Sequence, residues 1–148
     1  MEGLCDAQGV KLSDCFANSF CLSADVSNAF DPNWPETCDK RNNSQLNYGV
    51  AICKYTGSRG KGGASDASAE AMGHVRSTLD KAGVIWQIAT LGKVDQGGGG
   101  TVAAYMANRN IVTVDAGVPV LSMHAPLELV SKLDCYETML ACKAIYLA

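Results

Sequence analysis

The chain has 148 residues, 47% of them hydrophobic and 18% charged, with a formal net charge of -3 at neutral pH. That length suits one domain with a single core, and the apolar share argues against disorder. The acidic balance gives no basic footprint for nucleic acid. No apolar run approaches the roughly 20 residues that span a bilayer, and Met1-Glu2-Gly3-Leu4-Cys5-Asp6 lacks the basic start and apolar core of a signal peptide. The expectation is a soluble cytoplasmic protein with neither nucleic acid nor membrane as partner.

Residues 1–18 are weakly patterned, a short helix or a frayed end. Residues 19–26 read as a buried strand, and residues 27–47 as a loop broken by Pro32, Pro35, Asn42 and Asn43. A second strand covers residues 48–55, followed by a glycine-rich connection to Gly63. From residue 65 to 82 the pattern turns helical, with Met72, Val75, Leu79 and Ala82 three and four apart and Gly83 as the stop. Residues 84–91 read as a strand, residues 101–108 as a short helix, and residues 111–115 as a strand with an extended continuation at 118–121. Pro126 is expected to open a final helix, with Leu129, Leu133, Tyr136, Leu140, Ala144 and Leu147 on its apolar face. Alternating strands and helices imply an α/β sandwich with a parallel or mixed sheet.

Seven cysteines lie at positions 5, 15, 21, 38, 53, 135 and 142, none in C-x-x-C spacing. They read as reduced thiols used as small apolar residues.

Two residues sit where open α/β folds gather ligands, beyond strand ends. Asp25 follows Phe20-Cys21-Leu22-Ser23-Ala24, and His124 follows Val118-Pro119-Val120-Leu121-Ser122-Met123. A carboxylate and an imidazole suit a borderline cation such as zinc, although each alone has a bland reading as a turn cap or a satisfied interior group. His74, with Glu70, Ser77 and Lys81, reads as part of a solvated helix face. Lys54 stands within an apolar strand, which is costly unless its ammonium meets an anion or solvent. Arg59 and Lys61 read as solvated loop charges. The tetraglycine at 97–100 lacks the Gly-Lys-Ser/Thr ending of a phosphate loop, so nucleotide binding is a remote reading. Close backbone approach beside a site fits better, with the N–H groups of Gly98 and Gly99 holding a substrate carbonyl or an oxyanion.

Five words occur in order: Ser23-Ala24-Asp25-Val26, Lys54-Tyr55-Thr56-Gly57-Ser58-Arg59-Gly60-Lys61, Ser65-Asp66-Ala67-Ser68-Ala69-Glu70, Gly92-Lys93-Val94-Asp95-Gln96 with the tetraglycine and Thr101, and Leu121-Ser122-Met123-His124-Ala125-Pro126. The series resembles the M18 family of metallo-aminopeptidases, the aspartyl-aminopeptidase and aminopeptidase I group. The resemblance implies a three-layer α/β/α zinc-peptidase sandwich, incomplete here, with residues 19–148 as the C-terminal part of its catalytic domain. It implies a two-zinc exopeptidase that removes N-terminal residues from peptide substrates.

On that resemblance Asp25 and His124 are metal ligands and Lys54 contacts substrate. Asn28 stands where some members carry a substrate-contacting His. The remaining ligands and the glutamate base belong upstream of residue 19, and residues 1–18 contain no histidine. No catalytic residue is therefore assigned within the chain, and a homo-oligomer or a complementing N-terminal chain is the expected partner. The alternative is a non-catalytic structural or interaction remnant.

Overall fold

A computed structural model of the chain describes residues 1–58, 62–93 and 95–148; Arg59 and Lys61 lie outside the described residues. Residues 1–18 fold as two short helices, α1 (Glu2–Ala7) and α2 (Leu12–Ala17), separated by residues 8–11. The strands that follow are β1 (Phe20–Ser23), β2 (Ser27–Asn28), β3 (Val50–Cys53), β4 (Tyr55–Ser58), β5 (Gly62–Asp66), β6 (Trp86–Ala89), β7 (Val112–Gly117), β8 (Pro119–Leu121) and β9 (Leu129–Val130). Three more helices, α3 (Ala69–Ala82), α4 (Ala103–Ala107) and α5 (Lys132–Leu147), alternate with them.

The central sheet runs β1-β7-β3-β6 and is mixed: β1 is parallel to β7, β7 antiparallel to β3, and β3 parallel to β6. Strand alternation divides its two faces. Val50, Ile52, Val114 and Ala116 join Met72, Val75 and Leu79 of α3 and Ala141 of α5 in the apolar core. The opposite face carries small or polar side chains, Ala51, Cys53, Thr113, Asp115 and Ser23, all buried. Asp115 reaches from that face to Thr101, just before α4. α3 and α5 thus cover one face, while α4 and the β4–β5 pair cover the other.

The helix expected over residues 65–82 begins later. Ser65 and Asp66 pair with Thr56 and Tyr55 in the β4–β5 ladder, and Ser68 caps α3 by accepting the Ala71 N–H.

The final helix differs more. Residues 126–131 are not helical: Val130 and Leu129 pair with Val120 and Leu121 of β8, and the N-cap is Ser131. Nor is the inward face the apolar one expected. Asp134, Glu137, Thr138 and Ala141 are buried, whereas Leu129, Leu133, Tyr136 and Leu147 are exposed; only Leu140 and Ala144 pack against the core. The physical reason is in the backbone of the neighbouring strands. Asp134 accepts the Asn47 and Gly49 N–H groups, both at 2.8 Å, and Glu137 accepts the Ile85 N–H at 2.9 Å. Two carboxylates one turn apart satisfy donors at the entries of β3 and β6, an obligation that outweighs apolar periodicity.

Among the described residues β1 has no strand on its outer edge. A cavity of about 440 Å³ adjoins it, lined by Phe20, Leu22, Ala24, Cys142, Ile145 and Tyr146 among others.

Candidate metal and substrate cleft

A cleft of about 380 Å³ opens where the loops after β1 and β8 meet the tetraglycine segment. Asp25, Asn28, Gly97, Gly98, Gly99, Gly100, Thr101, Met123 and His124 are among its lining residues. Asp25 and His124 thus face one opening although 99 positions separate them in the chain, as their numbers show. Asn28, Gly98 and Gly99 share it.

The convergence has a local cause. β2 pairs parallel with β8, Ser27 opposite Pro119 and Asn28 opposite Val120, which ties the Asp25 segment to the strand leading to His124. Beyond β8 the chain turns back through two left-handed residues, Ser122 (φ 58°) and His124 (φ 69°), closed by the Ala125 N–H to the Ser122 carbonyl. A left-handed non-glycine backbone is disfavoured, and here the Glu128 carboxylate accepts the His124 N–H. Glu128, four residues beyond the imidazole, holds the turn that presents it. Its role is not legible in the sequence, where residues from Pro126 onward read as a helix and no turn at His124 is expected.

Asp25 is positioned from beneath. A Cβ on Gly117 would lie 1.7 Å from the Asp25 carbonyl oxygen, so only glycine admits the loop there. Gly117→Ala should cost about 1–3 kcal/mol by overpacking, read as a lower urea midpoint; an unchanged midpoint would show that the loop does not sit on β7. The Asp25 carboxylate itself accepts the Val26 N–H through Oδ1 at 2.9 Å, and among the described residues no protein donor reaches Oδ2. Asn28 is steadied by Cys38, its Nδ2 lying 3.6 Å from the sulfur.

The glycine wall is equally constrained. Gly98 has φ 88°, and a Cβ there would meet the carbonyl oxygens of Gly57 and Leu91 at 2.5 and 2.6 Å. The Gly57 N–H donates to the Gly99 carbonyl at 2.8 Å.

Lys54 is not among the lining residues of this cleft. It lies between β3 and β4, half exposed, and forms an ion pair with Asp66. His74 is exposed on α3, as read, and meets Phe20 edge-on at 5.6 Å between ring centroids.

All seven cysteines are described, and all are free thiols. Burial pushes the Cys53 thiol up to about 11, with the Ser27 hydroxyl drawing it partly back, so it is an inert packing group rather than a nucleophile. Burial also raises the Asp115 carboxyl, offset in part by the Ser23, Thr101 and Thr56 hydroxyls.

Zinc accepts both carboxylate oxygen and imidazole nitrogen, so Asp25 and His124 fit it chemically. Among the described residues, no group of three or more His, Cys, Asp or Glu side chains is gathered to hold a metal ion. Protein zinc sites use three or four donors; this cleft offers two.

A mixed α/β sheet with a carboxylate and an imidazole lining one cleft beyond its strand ends is the setting in which open α/β folds place their ligands. Residues 5–146 match the family model described as aminopeptidase I zinc metalloprotease (M18). The chain belongs to this family. It is 52% identical over 133 residues to a protein named probable M18 family aminopeptidase 1 from Clostridium acetobutylicum, covering 90% of this chain and 29% of the relative. The crystal structure of an M18 aminopeptidase from Thermotoga maritima superposes with a TM-score of 0.88 at 45% identity, over 95% of this chain and 32% of that one. A Saccharomyces cerevisiae structure described as a dodecamer shares the fold, with a TM-score of 0.71 at 24% identity over 93% of this chain and 28% of that one. The chain therefore spans about a third or less of the length of these relatives.

Proposed function

We propose that this chain supplies one side of an M18 zinc aminopeptidase site, and that the remaining metal donors and the general base come from sequence outside these 148 residues. The observation that carries the reading is that Asp25, Asn28, Gly98, Gly99 and His124 line one cleft. Asp25 would bind one zinc through its carboxylate, and His124 the other through its imidazole. Bound zinc would polarise the scissile carbonyl and lower the pKa of a coordinated water.

This chain's own residues then orient the peptide. The backbone N–H groups of Gly98 and Gly99 can donate to a substrate carbonyl or to the developing oxyanion, and Asn28 offers a neutral amide at the rim. Lys54 contacts a substrate anion only by exchanging its Asp66 partner for it. Two donors hold zinc weakly, so the reading requires a complementing portion, either a preceding segment or a separate chain.

The test is metal analysis with an aminoacyl p-nitroanilide assay, with and without a supplied N-terminal portion of an M18 relative. Zinc uptake and turnover that appear only in the mixture support the reading. Docking without zinc or turnover would favour the non-catalytic remnant, a reading supported by the two-donor cleft.

We propose further that the chain self-associates or docks such a partner through the β1 edge. Phe20 is 37% exposed there beside the apolar cavity, and an open strand edge is a template for pairing. Light scattering at high concentration is expected to report a species larger than 15.5 kDa; a clean monomer alone and with the added portion would count against it. No helix among the described residues is long and apolar enough to cross a membrane.

A further inference from the structure

We infer that Asp115 is a positioning residue: through Thr101 it fixes the glycine wall of the cleft. Four consecutive glycines have no side chains of their own to anchor them, and glycine loses more conformational freedom on ordering than any other residue. A wall that presents N–H groups to a ligand must be held from behind.

Thr101, directly after the tetraglycine, donates from Oγ1 to Asp115 Oδ2 at 2.8 Å. Thr56 Oγ1 lies 3.3 Å from Thr101 Oγ1, and the Thr56 hydroxyl also serves the Asp115 carboxylate, so the three side chains form one cluster. Thr56 precedes Gly57, whose N–H holds the Gly99 carbonyl at 2.8 Å. The wall is thus pinned at both Gly99 and Thr101, and both pins trace to the Asp115–Thr101–Thr56 cluster.

Asp115 is 95% buried, as its 5% exposure states. A buried carboxylate is a poor way to gain stability compared with an apolar residue of similar size. Its position on β7 explains what it does instead. Two residues further along, on the same face, Gly117 seats the Asp25 loop. Strand geometry sets a spacing of roughly 7 Å between these two supports. One strand therefore gauges the metal-facing loop against the substrate-facing wall.

The inference rests on the proposed function for its meaning, but its first test does not need activity. In the 148-residue chain, ¹⁵N order parameters of Gly98, Gly99 and Gly100 should fall from near 0.85 to below about 0.6 in Thr101→Val, and Gly57 amide exchange should accelerate roughly tenfold or more. Thr101→Ser should restore both, while Ile52 and Val75 stay protected in all variants. A wall already mobile in the wild type, an unmoved wall in Thr101→Val, or protection lost evenly across the core would overturn the inference. Asp115→Asn, which keeps an acceptor, covers the case in which Thr101→Val does not fold; it should lower the Gly98, Gly99 and Gly100 order parameters to between about 0.6 and 0.85, and values at either limit would overturn the acceptor role.

In the mixture with the supplied portion, Thr101→Val should raise KM several-fold with kcat little changed, and Thr101→Ser should return KM to the wild-type value. A fall in kcat beside the rise in KM also supports the positioning role, because the same N–H groups serve the developing oxyanion; kcat and KM both unchanged would overturn it. Absence of all turnover in the wild-type mixture would refute the proposed function, with the order parameters still deciding this inference.

Discussion

Asp134→Ala should unfold the chain about 3–5 kcal/mol more easily, the largest single-residue effect on stability that the structure implies. Asp134 is fully buried, and each of its oxygens accepts a different backbone N–H, those of Asn47 and Gly49. A hydrogen bond to a charged group contributes about 1.5–3 kcal/mol, and removing the acceptor leaves the buried Gly49 N–H unpaired. Asn47 is itself left-handed at φ 69°, and Ser131 Oγ donates to its side-chain oxygen at 2.6 Å. The start of α5 therefore clamps the turn that feeds β3 at the centre of the fold. Asp134→Asn keeps one acceptor but points an amide N–H at a backbone N–H, so about half the loss is expected, roughly 2 kcal/mol. Total stabilities lie near 5–15 kcal/mol, so either loss is large and is measurable by urea denaturation monitored by circular dichroism. A midpoint within error of wild type for Asp134→Ala would refute the clamp.

The second large effect concerns activity. The purified 148-residue chain should turn over aminoacyl substrates at a rate near background, because the proposed site lacks its general base and most of its metal donors. Loss of a general base alone costs about 10²–10⁴ in rate, and the loss of paired metal ions adds to that. A supplied N-terminal portion should restore zinc-dependent turnover. His124→Ala or Asp25→Ala should then abolish it, by about 10² or more, while leaving the urea midpoint near wild type, since neither side chain is in the core. Robust zinc-dependent turnover by the chain alone would mean that further donors exist within it. Asp31, Asp66 and Asp95 are the carboxylates to examine, although none of them is among the lining residues of the cleft.

By itself the sequence determined the alternation of elements, the α3 periodicity through Met72, Val75 and Leu79, and the two strand-end residues Asp25 and His124. These are local signals: a helical repeat, a glycine stop and an apolar run that halts at a polar residue can be read without knowing what lies opposite. The family resemblance was also legible, because its five words are contiguous.

Tertiary structure decided what depends on partners far away in the chain. The start of the last helix was misread at Pro126 because the β8–β9 pairing, invisible to local periodicity, extends Leu129 and Val130. Its inward face was misread because leucines were assumed to seek the core. The strand entries at Asn47, Gly49 and Ile85 present N–H groups that Asp134 and Glu137 accept, and leaving a buried donor such as that of Gly49 unpaired costs more than exposing an apolar side chain. Asp134 and Glu137, the two acids of α5 and three apart on one side of it, were the available clue. Asp115 left a similar one, a lone carboxylate in the run Val112-Thr113-Val114-Asp115-Ala116. Its role became visible only when folding brought Thr101 to 2.8 Å from it, because a hydrogen bond is a relation between two atoms and the sequence names only one of them.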